Sequence, residues 1–346
     1  LPAGKTGKVL TWTLRPHSVK DWLREPNVGF SQVGYVPQQP KVAVIELDAN
    51  DTRRPKGELW RIMPDGSQKC VLTAQTTEWG RYFKYDYVHF DFTKMQDPGI
   101  YYIKYGDTCT ENFIIGEDVY DHIADATSDV WVPVHMNHMA VNEGYRMWHG
   151  EPFREGYYQA PESDHFDYHF QGPIVDSPYK AHQLIPGLNV GGFFDAGDFD
   201  METGSIATVV QNLVRNWDMS HDKRDQTFVS KEQRYVDLHR PDGTPDLLQY
   251  IEHGVSNIVA QVERLGYAAT ALSNSVLDNY HHLGDAASIT DGLRYDPSLK
   301  PYQVSFDGKR SGTPDDMWAF TTRNPSLDYR AATMFAAASH ALKGYN

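Results

Sequence analysis

The stretch of this 346-residue chain best equipped for chemistry is Gly191-Gly192-Phe193-Phe194-Asp195-Ala196-Gly197-Asp198-Phe199-Asp200. Asp195 and Asp198 are three apart, so on a turn or nascent helix they point to one side. Three glycines and an alanine thin the surroundings and let the backbone take tight geometry close to a ligand. Two neighbouring carboxylates repel, which splits their pKa values. One is then the better base while the other stays charged or orients water, the setting an Asp needs to draw a proton from water. A calcium loop or a helix-start cap uses the same residue types. Spacing alone leaves catalysis, a structural role and a plain loop open.

Two kinds of sequence surround that loop. At about 150 residues per domain the length predicts two domains. Residues 28–117 read as strands. Lys41–Leu47, Asp86–Phe92 and Gly99–Tyr105 are β-rich runs, and Pro64-Asp65-Gly66 is a turn signal. Several short strands divided by turns predict a β-sandwich. Residues 1–27 are polar with one or two short apolar pieces and read as an extension or linker. From residue 118 the period becomes helical. Ile206, Val209, Val210, Leu213 and Trp217 make one apolar stripe, and Leu248, Ile251, Val255, Ile258, Val259 and Val262 make another. A third helix carries Leu327, Ala331, Met334, Phe335, Ala338 and Leu342, with Asn324 or Ser326 as its cap. The long loops 150–200, 219–246 and 278–325 lie between helices, and loops of that length carry function.

Composition narrows the partner. With 32 Lys and Arg against 46 Asp and Glu the formal charge is -14. That balance disfavours nucleic acid and anionic membranes, and no apolar run is long enough to span a bilayer. Aromatic residues make up 13% of the chain, which together with many acids suits a neutral ring-shaped ligand such as a sugar. Cys70 and Cys109 do not form a metal-binding pair, and one bridge between them is left open. His135, His138 and His149, His165 and His169, and His281 and His282 show no compact zinc spacing. Hydrogen-bonded or exposed imidazoles are the simpler reading of them.

The Asp195–Asp198 segment resembles the Asp-Ala-Gly-Asp nucleophilic-water motif of glycoside hydrolase family 9, which contains many cellulases. Residues 28–118, with Ser31-Gln32-Val33-Gly34-Tyr35, resemble the immunoglobulin-like domain that precedes the catalytic domain in one branch. Thr313-Pro314-Asp315-Asp316-Met317 is similar to the family's Pro-Glu-Asp-Met loop, and Asn324-Pro325-Ser326 with the alanine-rich helix resembles the segment after that loop. Val141–Arg146 with Met147-Trp148-His149-Gly150, and Asp278–Asp285, resemble the Bacteroidetes-type branch. The resemblance covers about residues 28–346. It implies an all-β immunoglobulin-like sandwich followed by an all-α (α/α)6 barrel, with 118–346 as the barrel's N-terminal part.

By that resemblance Asp198 is the general base that activates water, and Asp195 holds the same water or tunes Asp198. Phe193, Phe194, Trp148, Tyr280, Asp315, Asp316, Met317 and Trp318 are the residues expected at the sugar cleft. Phe193 and Phe194 serve equally well as core plugs anchoring the loop. The implied activity is inverting endo-β-1,4-glucanase action on cellulose, mixed-linkage glucan or xyloglucan. An exo-acting β-glucosidase or glucosaminidase is the enzymatic alternative, and a catalytically silent glycan-binding or structural fragment is the other. The implied location is extracellular, periplasmic or at the outer surface of a bacterium. The chemistry needs no cofactor. Structural calcium is an option the family offers, with no ligands assigned.

One departure matters. The family's general acid is a Glu near the end of its catalytic domain, and the half of the barrel bearing it is missing here. The expected partners are therefore a neutral β-linked glucan and the C-terminal remainder of the catalytic domain. An open half-barrel would leave Val209, Leu213 and Ile258 wet, at about 25 cal/mol for each Å² of apolar surface. The sandwich is expected to be structural, and a row of exposed aromatic rings on it would argue otherwise.

Overall fold

The computed structural model describes residues 3–142, 157–162, 171–195, 200–220, 222–274, 291–313 and 316–345. The chain divides into two compact units, Leu1–Ile123 and Ala124–Asn346. Ahead of the first strand the described residues form no helix or strand, and Trp12, Leu14 and Trp22 are exposed.

The strands of the first unit are β1 (Asn27–Gly29), β2 (Val42–Asp48), β3 (Gly57–Ile62), β4 (Gln68–Ala74), β5 (Thr77–Tyr82), β6 (Tyr85–Asp91), β7 (Gly99–Tyr105), β8 (Thr108–Cys109) and β9 (Phe113–Ile115). They form two sheets, β1-β2-β6-β5 and β4-β3-β7-β8, with β9 also on β7. Alternation decides which face is inside. Ala43, Ile45 and Leu47 of β2 and Val88 and Phe90 of β6 share one buried cluster with Tyr101, Ile103 and Tyr105 of β7. Fully burying each large apolar side chain stabilises by roughly 1.5–3 kcal/mol, so this is an all-β sandwich with its own core. Cys70 on β4 and Cys109 on β8 are free thiols. Their strands are three steps apart in the sheet, about 14 Å at the usual strand spacing, which is beyond disulfide reach.

The edge of the first sheet is aromatic. Trp79, Tyr82 and Phe83 are 59%, 58% and 83% exposed. Tyr82 stands opposite Tyr85, and a bulge between Glu78 and Gly80 sets Trp79 edge-on to Tyr87 at 5.7 Å. Glu46, Tyr82, Phe83, Lys84, Tyr85 and Tyr87 line a cavity of about 490 Å³ there.

In the second unit a π-helical turn over Thr127–Trp131 runs into α1 (Val132–Val134). There follow β10 (Ala140–Asn142), β11 (Tyr157–Gln159), β12 (Met201–Glu202), α2 (Thr203–Ser220), β13 (Thr227–Ser230), β14 (Tyr235–Leu238), α3 (Asp246–Leu265), β15 (Ala271–Asn274), β16 (Arg294–Tyr295), β17 (Arg310–Ser311), β18 (Met317–Phe320) and α4 (Pro325–Ala341). The all-α expectation for 118–346 is corrected here. The unit is α/β, and among the described residues no barrel closes. Strands of two to four residues are too short for an alternating pattern to show beside helical stripes three times their length.

The long helices form where the stripes predict them. Ile206, Val210 and Leu213 of α2 are buried, and α2 packs against both α3 and α4. α3 ends at Gly266, whose φ of 84° and N–H to the Val262 carbonyl make a left-handed stop. Asn324 caps α4 by accepting the Ser326 N–H at 3.0 Å, with Pro325 in the first turn. The helix faces expected to be wet are covered. Ile258 is fully buried, Leu213 is 9% exposed and Val209 is partly buried, because the three long helices pack against one another. On α3 the exposed valines are Val259 and Val262 instead.

Candidate active site

The Asp loop is built on three supports. Gly191 sits at φ 59° over α3, where a Cβ would stand 2.3 Å from the His253 carbonyl oxygen, so no side chain fits. The Gly192 N–H donates to that same carbonyl at 3.0 Å. The N–H groups of Asn137 and Phe194 donate to the carbonyls of Gly192 and His135, at 3.0 and 2.9 Å, which lays the loop along residues 135–137. Phe193 and Phe194 are 4% and 3% exposed and belong to the main core of this unit. The Phe193 ring lies 5.6 Å from His253. Gly254 makes room for it, since a Cβ there would fall 2.7 Å from the ring. Both phenylalanines therefore anchor the loop from below.

Asp195 comes next, at the surface, and its N–H donates to the Asp200 carbonyl at 2.9 Å. That bond ties together the described residues on either side of 196–199. Asp198 lies outside the described residues, as do Trp148, Tyr280 and Asp315.

A single sheet relates this loop to the second predicted one. The order is β11-β18-β15-β12. Met201 of β12 pairs with Leu272 of β15, and Leu272 pairs with Ala319 of β18, both antiparallel. β12 and β18 therefore run parallel, two strand steps or about 10 Å apart. The loop ending at Asp200 and the loop ending at Asp316 enter the sheet at the same end. Asp316 is buried and accepts the Tyr295 N–H at 2.6 Å. Met317 is fully buried in the core. Trp318 is half-buried with its ring edge-on to His182 at 5.7 Å.

Three histidines border the loop. His135 Nδ1–H donates to the Trp131 carbonyl at 2.6 Å. Burial holds its pKa below the usual value, while the Trp131 carbonyl and the nearby Asp195 charge oppose that shift. His138 is fully buried against Tyr157, 3.0 Å from Nε2 to the phenol oxygen, and burial keeps it well below its usual value. His253 is pushed down to about 3, first by burial and then by the Lys231 charge. His135 and His253 were not visible as loop partners in the sequence. His253 shares α3 with Gly254, and a glycine inside an apolar helical stripe is the signal that something packs there.

Residues 24–109 match the protein-family description "Cellulase N-terminal ig-like domain". Among the curated proteins no sequence matches. The solved structures give the rest. A metagenome-derived glycoside hydrolase family 9 endoglucanase superposes with a TM-score of 0.61 at 18% identity, over 93% of this chain and 51% of that one. A Bacteroides ovatus GH9 protein gives 0.61 at 17%, over 92% and 49%. The GH family 9 endoglucanase J30 gives 0.52 at 14%, over 90% and 53%. The fold is like that of glycoside hydrolase family 9. The chain spans about half the length of these structures. No helix of the described residues is long and apolar enough to cross a membrane.

Proposed function

We propose that this chain is the N-terminal part of an inverting endo-β-1,4-glucanase acting on cellulose, mixed-linkage glucan or xyloglucan outside the cytoplasm. The observation that carries the reading is the meeting of two Asp-bearing loops at one end of the β11-β18-β15-β12 sheet, in a fold like that of family 9. In this mechanism Asp198 takes the proton from a water that attacks the anomeric carbon. Asp195 holds that water from the surface of the loop. A Glu supplied by the remainder of the catalytic domain protonates the leaving oxygen. Inverting carboxyls stand about 6.5–9.5 Å apart to admit the water. Phe193 and Phe194 fix the first loop and Met317 packs in the core beneath the second, while Trp148, Tyr280, Asp315, Asp316 and Trp318 shape the sugar cleft. Structural calcium belongs to the same reading.

The test uses the complete enzyme. Asp198→Asn keeps size and shape but cannot accept the proton. General-base catalysis supplies about 10²–10⁴-fold, so glucan hydrolysis should fall by that order while binding persists. Near-normal turnover would refute the assignment. A second reading, glycan binding without turnover, is favoured by the exposed Trp79, Tyr82 and Phe83 edge of the sandwich.

A further inference from the structure

A cavity of about 230 Å³ lies between the Gly191 turn and α3, and its polar lining comes from His138, Asn189, Lys231, Arg234, His253 and Ser256. The cations are the unusual part. Lys231 and Arg234 bracket the turn between β13 and β14, and the Arg234 N–H donates to the Lys231 carbonyl. Lys231 shares its ammonium with Glu252 of α3. Arg234 is half-buried, and among the described residues no carboxylate pairs with its guanidinium. Among the described residues no carboxylate lines the cavity, although the chain as a whole carries -14.

We propose that this cavity binds a small oxyanion, a carboxylate or a phosphate group, gripped by the Arg234 guanidinium and the Lys231 ammonium. The planar Arg fork matches both anions through paired N–H donors, and the Lys ammonium adds a point charge. The volume leaves room for water around such a group. The site also reaches the Asp loop. Val190 and Gly191 form one wall, the Val190 carbonyl accepts the Asn257 amide at 3.1 Å, and the Gly192 N–H is held by the His253 carbonyl. An anion seated there links the loop's base to the β13–β14 turn.

The experiment titrates the 346-residue chain with sodium phosphate and, separately, with sodium acetate, at constant ionic strength in chloride. Calorimetry and the thermal midpoint are read together. Saturable binding of either anion is expected with a dissociation constant on the order of 1 mM, with a rise in midpoint as the site fills. Acetate alone would mark a carboxylate site, phosphate alone a phosphate site. Arg234→Gln should weaken binding by about tenfold or more. Arg240→Gln should leave it unchanged, because that guanidinium belongs to Asp237 and the Phe228 ring outside the cavity. Should Arg234→Gln fail to fold by circular dichroism, Lys231→Gln is judged by the same criterion. Absence of saturation by both anions below about 50 mM, or an Arg234→Gln chain that binds like the parent, overturns the proposal.

Discussion

Replacing Gly191 by alanine tests how firmly the Asp loop is seated on α3. Two costs are separable. A non-glycine residue at φ 59° pays about 1–2 kcal/mol for the left-handed backbone. The new Cβ also falls 2.3 Å from the His253 carbonyl oxygen, 2.9 Å from the Ser256 Cβ and 3.0 Å from the Asn257 nitrogen. Two of those atoms are helix backbone, so no flexible tip can move aside. Relief comes only by lifting the turn, which stretches the Gly192 N–H bond to His253 and the Asn257 amide bond to Val190. Each is worth about 0.5–1.5 kcal/mol net. The expected loss is roughly 2–5 kcal/mol, a large share of the ~5–15 kcal/mol that holds a typical domain.

Gly266→Ala supplies the control. That glycine has φ 84° at the end of α3, with nothing within 4 Å of its would-be Cβ, so only the left-handed cost applies. Native-state hydrogen exchange at α3 amides reads the stability of this unit by itself. Gly191→Ala should lower it by about 1–3 kcal/mol more than Gly266→Ala. Equal losses in the two variants would refute the idea that the turn is clamped against the helix.

Two further outcomes are expected. Between pH 3 and 6.5 native His253 holds fewer protons than the unfolded chain, so its contribution to stability rises with pH; Asp246, raised to about 7 chiefly by burial, acts oppositely between its unfolded value and 7. Relative to the parent, Asp246→Asn should therefore make stability climb more steeply with pH through that window and His253→Gln should make it climb less, in urea melts at fixed salt; slopes equal to the parent's would contradict both assignments. On the sandwich, Trp79→Ala with Tyr82→Ala should abolish retardation in gels containing xyloglucan or mixed-linkage glucan while circular dichroism stays unchanged. An unsubstituted chain that is not retarded would remove the glycan-binding reading.

The elements that could be read in advance are those with long, one-sided patterns. Ile206, Val210 and Leu213 had to face inward together, and so did Val88 and Phe90, because a period of 3.6 or of 2 repeats often enough to stand out. The Asn324 cap was visible because a capping residue, a proline and an apolar run occur in that order. β13 and β14 were hidden inside what reads as a loop, since Thr227–Ser230 and Tyr235–Leu238 are four residues each. The roles of Phe193 and Phe194 were undecided for a different reason. Whether an aromatic ring beside a glycine faces a sugar or a core depends on the residues under it, and here those are Gly254 and His253, about sixty residues further on.

The relation between the two Asp-bearing loops belongs to the same class of information. Asp195 and Asp316 are more than a hundred residues apart, and neither segment has a period that refers to the other. Their meeting depends on register. Leu272 sits between Met201 and Ala319 in the sheet, and a slip of one residue in either pairing would turn every side chain of that strand to the opposite face. β12 is only two residues long, so its own ladder cannot hold that register. Burial on either side holds it, with Met201, Leu272, Met317 and Ala319 all in one core. The geometry of the candidate site is therefore set by apolar packing beneath the sheet, and the carboxylates inherit their positions from it.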